Sequence, residues 1–114
     1  MSRLSQTNRL KTFGDVATGI AAAGTTQATA ATLVSDHCTV ATGSEGVADG
    51  VIMKAGNTDS FRTVTNKSTA AIKLYPPVGS NFNGGTTNGA INLNPNRAAW
   101  LFFITSTDIS AIAW

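Results

Sequence analysis

From residue 31 onward, apolar and polar residues alternate in short runs broken by turn-forming residues. Runs of this length, rich in Val, Ile, Thr and aromatic residues, predict β-strands and no long helix. The strand candidates are 31–34, 38–42, 50–53, 60–66, 71–75, 90–93, 98–105 and 109–114. Asp49-Gly50, Asn83-Gly84 and Asn88-Gly89 read as turns, because Gly and Asn accept a positive φ at low cost. Pro76-Pro77 ends the strand at Tyr75, since proline lacks the amide that a central ladder needs.

Side-chain alternation then assigns faces. Ile72 and Leu74 oppose Lys73 and Tyr75, and Ile91 and Leu93 oppose Ala90 and Asn92, so each of these strands has one face for the core and one for water. The run Ala98-Ala-Trp-Leu-Phe-Phe-Ile104 is different. Trp100, Phe102 and Ile104 share one face, and Leu101 and Phe103 share the other. The last strand repeats the pattern, with Ile109 opposed to Ile112 and Trp114. A strand in a two-layer domain buries only one face in its own core. Each large apolar side chain gains about 1.5–3 kcal/mol on burial, so the second face calls for covering by an arm, a loop or another subunit. The pattern therefore predicts a homo-oligomer, the alternative to a second subunit being a single-chain core thickened by residues 1–30. It also predicts an all-β fold: a small antiparallel β-sandwich or jelly-roll-like barrel over residues 31–114, preceded by an extended N-terminal arm, residues 1–30. The arm is assigned because its three cations lie within the first eleven positions and an Ala/Thr/Gly stretch with few large side chains follows them.

Composition narrows the function. In 114 residues only 12% are charged and 42% are hydrophobic, and the formal net charge is +2. That charge is too small for an electrostatic nucleic-acid surface, so no direct nucleic-acid partner is expected. The longest apolar run, residues 98–104, falls far short of the roughly 20 residues of a membrane-spanning helix, and no membrane partner is expected. Arg3, Arg9 and Lys11 are not followed by a secretory-type apolar block. The single Cys38 excludes an internal disulfide framework and a multi-cysteine zinc site.

The search for catalytic chemistry returns little. Asp36-His37-Cys38 places an acid, an imidazole and a thiol side by side, but neighbours on a strand point to opposite faces, so His37 does not serve Cys38 as a base. One His and one Cys do not assemble a familiar zinc shell. Gly79-Ser-Asn-Phe-Asn-Gly84-Gly85-Thr86 spaces its glycines like a phosphate-binding loop, yet Gly85 stands where the lysine belongs and no α/β alternation surrounds it. Asp15, Asp36, Glu45, Asp49, Asp59 and Asp108 form no pair that sequence reveals. Arg62, Lys67, Lys73 and Tyr75 read as a solvated polar face rather than a stacking platform. No enzyme, no cofactor and no metal is expected.

The segment Ala71-Ile-Lys-Leu-Tyr-Pro-Pro-Val-Gly-Ser-Asn-Phe-Asn-Gly-Gly resembles one found in small structural proteins of tailed bacteriophages. In those proteins an apolar strand ends in Tyr-Pro and leads through a Gly-containing loop, an Asn-Gly turn and a short Ala/Ile/Leu strand to a polar turn and an aromatic strand. Residues 50–105, about half the chain, follow that order, although Lys54 stands where a proline often follows the Val-Ile-Met strand. The resemblance implies a capsid decoration, or cement, protein. Such proteins commonly act as homotrimers on the outer surface of the virion head, bridging major capsid protein subunits. A tail fibre or other appendage domain for host attachment is the alternative. On this reading Trp100, Phe102 and Phe103 pack the trimer, and Leu4, Arg9 and Phe13 of the arm bind the capsid.

Overall fold

The computed structural model describes residues 14–113. The fold is all-β, with ten strands and no helix among the described residues: β1 Val16–Ala21, β2 Ala31–Thr32, β3 His37–Thr42, β4 Gly50–Ile52, β5 Phe61–Asn66, β6 Ile72–Tyr75, β7 Asn81–Phe82, β8 Ile91–Leu93, β9 Arg97–Phe103 and β10 Asp108–Ala113. All eight runs expected from alternation are strands, within three residues at each end. β1 and β7 were not foreseen.

Successive strands alternate between two sheets as far as β9. The larger sheet has the order β1-β3-β5-β9-β10-β7, and the smaller has the order β2-β4-β6-β8. The expected antiparallel arrangement is corrected here. β1, β3 and β5 run parallel, as do β2, β4 and β6, and antiparallel pairing begins only where β9 joins β5 and β8 joins β6. The first half of the chain thus climbs as a solenoid-like stack. Each circuit brings the chain back one strand further along: Val16 lies opposite His37, His37 opposite Thr63, Ala31 opposite Val51 and Val51 opposite Leu74. Parallel neighbours need such a crossover, which here is a strand of the opposite sheet in place of a helix.

The core lies between the sheets. Cys38, Val40, Val64, Ala99, Leu101, Phe103 and Ile109 of the larger sheet meet Val51, Ile72, Leu74 and Leu93 of the smaller, with Leu33, Met53 and Phe82 filling the ends. β1 belongs to this body. It pairs with β3, Ala17 and Ile20 pack against the core, and Ala22 is buried within it. Residues 16–22 are therefore not part of a free arm. Their small side chains hid a strand that is held by its backbone ladder rather than by bulk.

One polar side chain ties the layers together. Asn66, fully buried at the end of β5, donates through Nδ2 to the carbonyls of Ala70 and Leu93 (2.8 Å each), and its Oδ1 accepts from the Ser68 N–H (2.9 Å) and hydroxyl (2.6 Å). The amide's capacity is filled, so its burial carries no unpaired group. Of the three expected turns, Asn83 and Asn88 do take positive φ. Asp49-Gly50 does not turn. Gly50 opens β4, where a Cβ would sit 2.9 Å from the Ala23 carbonyl oxygen, so glycine is needed there for close approach.

Candidate interaction surface

The outer face of the larger sheet holds the most distinctive surface of the protein. In β9, alternation buries Ala99, Leu101 and Phe103 and turns Trp100 and Phe102 outward, leaving them 50% and 44% exposed. Strand register carries this face across the sheet. Thr63 of β5, Trp100 of β9 and Ile112 of β10 are consecutive partners, and His37 and Val16 extend the row to the edge. A second row joins Phe61, Phe102 and Ser110.

The rings form a connected group. Phe61, 42% exposed, meets Trp100 edge to face at 5.9 Å between centroids and packs beside His37 at 5.7 Å. The His37 Nδ1 lies 2.9 Å from the Thr63 hydroxyl. Ile112 and Ile104 are more than half exposed at the margin. Phe61, Trp100, Phe102, Ile104 and Ile112 together offer apolar surface on the order of 500 Å², comparable to the largest patch of a typical monomer. The side chains between them, Thr39, Thr63, Thr65, Ala98 and Ser110, carry no charge.

The expected site residues divide. Trp100 and Phe102 lie on this open face. Phe103 does not: it is fully buried in the protomer, against the Arg62 guanidinium at 5.6 Å, so it has no surface to give a partner. Reading the strand as apolar on both faces was right, but one of those faces is filled by the protomer's own core. Leu4, Arg9 and Phe13 fall outside the described residues. Phe61 and Ile112, which the sequence reading left out, join the patch because β5 and β10 flank β9. Their signal was an apolar residue on the face opposite the core-directed ones, legible only once strand neighbours are known.

Arg62 also departs from expectation. It points into the protein rather than onto a solvated face. Its Nη1 lies 2.9 Å from Asp36 Oδ1, and its Nη2 donates to the Ala55 carbonyl at 2.9 Å. Lys54 Nζ reaches the same Asp36 oxygen at 3.2 Å, and the Asp15 N–H donates to Asp36 Oδ2 at 3.1 Å. Burial alone would raise the Asp36 pKa, but it is outweighed by the hydrogen bonds from Asp15 and Lys54 and by the charges of Arg62 and Lys54. The carboxyl is held below its ordinary value. Asp36 thereby links the chain ahead of β1, β3 and β5. Cys38 faces the core while His37 faces outward, as strand geometry requires, and burial followed by the Asp36 charge pushes its thiol pKa up.

A polar concavity of about 410 Å³ lies beside the smaller sheet, lined by Glu45, Asp49, Lys73, Asn92 and Asn94 among others. Asp49 is buried there, with Oδ2 accepting from the Gly46 N–H at 2.9 Å and Oδ1 unpartnered. Among the described residues no three His, Cys, Asp or Glu side chains gather as metal ligands, and no helix is long and apolar enough to cross a membrane.

No family model, curated protein or solved structure matches the chain. Function therefore has to be read from the surface itself.

Proposed function

We propose that this protein is a capsid decoration, or cement, protein of a tailed bacteriophage, binding the outside of the head as a trimer and bridging major capsid protein subunits. The observation that carries the reading is the uncharged aromatic face around Phe61, Trp100 and Phe102 on a rigid two-sheet body. Such a face suits a partner that excludes water from it, and a second copy of the chain supplies equally apolar surface. The order of strand and turn motifs over residues 50–105 supports the virion setting.

The mechanism is mechanical. DNA packed inside a head loads the shell outward, and a trimer gripping several capsid subunits opposes their separation. Three capsid contacts on one body act at high effective concentration, so modest affinity at each gives slow dissociation. The β domain is the knob. Leu4, Arg9 and Phe13 are the proposed capsid contacts.

Light scattering after size exclusion should give about three times the 11.7 kDa protomer mass. Labelled protein mixed with undecorated heads should then spread over the head surface. Labelling of a tail structure would favour the appendage reading, and a monomer that binds no virion part would overturn both.

A further inference from the structure

We propose that the polar concavity on the outer side of the smaller sheet is a binding site for a neutral oligosaccharide. The inference is independent of assembly. The core lies between the two sheets, so this surface and the aromatic face are on opposite sides of the body.

Lys73 of β6 and Asn92 of β8 are register partners, and both point away from the core because Ile72, Leu74 and Leu93 beside them are buried. Asn94 follows β8, and Glu45 stands on the exposed turn closed by the bridge between Ser44 and Ala48. Asp49 is the buried member of the group, 1% exposed. Its backbone is fixed on two sides, the N–H donating to the Gly24 carbonyl at 2.9 Å and the carbonyl accepting from the Lys73 N–H at 2.7 Å. Its Oδ2 accepts from the Gly46 N–H at 2.9 Å and so holds the turn, whereas Oδ1 is sealed from solvent and has no partner. A carboxylate oxygen buried without a donor is costly, and such groups point to something that binds them. Glu45, Asp49 and Lys73 line one space of about 410 Å³, yet among the described residues no ion pair joins Lys73 to either carboxylate.

This mixture of groups selects the ligand. Two carboxylates repel an anion, and Lys73 repels a metal cation, for which the described residues also supply no third acidic, His or Cys ligand. A neutral molecule dense in donors and acceptors meets every group present. Carbohydrate hydroxyls both donate and accept, so they give to Glu45 and Asp49, take from Lys73 and do both with the Asn92 and Asn94 amides. The volume falls in the range of roughly 300–1,000 Å³ usual for small-molecule sites. A second concavity of about 360 Å³, lined by Arg97, shares Asn92 and Asn94 with the first, so the ligand that fits is a short chain of sugar units rather than a single one. A hydroxyl reaches Asp49 Oδ1 once the exposed turn at 45–47 shifts, and the hydrogen bond made there offsets that movement.

An array of immobilised neutral glycans built from glucose, galactose, mannose and N-acetylhexosamines, probed with the full chain, tests this, and the strongest binder is then titrated calorimetrically. At least one of these glycans should bind. Lys73→Ala combined with Asn92→Ala should weaken that binding at least about tenfold, the loss of one or two hydrogen bonds, with the β-sheet circular dichroism unchanged. Absence of binding to every glycan overturns the inference. Binding that the double variant retains in full overturns it too, because the glycan would then sit elsewhere, as on the aromatic face. Calcium or inorganic phosphate that moves the Lys73 and Asn92 amide resonances while the glycans leave them in place would assign the concavity to an ion and overturn the ligand class.

Discussion

The two faces of β9 share one backbone and one stretch of sequence, yet they do different work. Ala99, Leu101 and Phe103 are sealed between the sheets, whereas Trp100 and Phe102, one residue away in each case, stand half open beside Phe61. Both sets are apolar. Side-chain chemistry alone does not separate them; what does is the presence of the smaller sheet on one side only. The inner set holds the protomer together, and the outer set is surplus to that task. The inner face even accommodates a charge. Arg62 lies opposite Leu101 in the ladder and over Phe103, and it is tolerated because Asp36 and the Ala55 carbonyl meet it.

That contrast can be broken first on its inner side. Phe103→Ala should remove about 3–5 kcal/mol of folding stability, the cost of a large cavity in a packed core, measured by chemical denaturation. If Phe103 were an interface residue instead, the protomer would keep its stability and lose only its partners. Asp36→Ala tests the exception on the inner face. It leaves Arg62 desolvated without its counter-charge, and the expected loss is about 2–4 kcal/mol, near the lower end for broken buried pairs because Asp36 is not wholly enclosed.

The same pair sets an acid limit. The Asp36 carboxyl has a lower pKa when folded than when unfolded, so its contribution is fully present above the unfolded value of about 3.8. It is lost as pH falls below that value and through the lowered folded one. Stability followed by denaturant midpoint should decline more steeply below about pH 4 in the wild type than in Asp36→Asn. The smallest effect on the protomer belongs to the outer face. Trp100→Ser with Phe102→Ser should cost the fold about 1–3 kcal/mol, since each ring is half buried and Trp100 packs on Phe61, while reducing the assembly to monomers, read by light scattering. A large stability loss with assembly retained would reverse the roles assigned to the two faces.

Much of this was legible along the chain. Every strand built from alternating large apolar residues stood out, because a period of two needs no knowledge of neighbours. β1 did not, since Val-Ala-Thr-Gly-Ile-Ala offers little bulk and Gly19 interrupts its pattern. β7, two residues paired with β10, is too short to carry a period. Half of the candidate surface was visible too: Trp100 and Phe102 were identified, Phe61 and Ile112 were not, and Phe103 was placed on the wrong side of the protomer boundary. Arg62 looked like a surface cation because its partner, Asp36, lies on another strand's approach.

What the sequence determined by itself, then, was the all-β character, the position of most strands and the two-sided apolar nature of β9. Each of these follows from local alternation and turn chemistry. Strand direction, strand neighbours and the choice of which apolar face is sealed were decided only in the tertiary structure. A parallel strand and an antiparallel one show the same alternation to a reader of the chain. Their difference lies in the path of the connections and in contacts between residues 20 or more apart, such as Val16 with His37 and Ala31 with Val51, which no local pattern encodes.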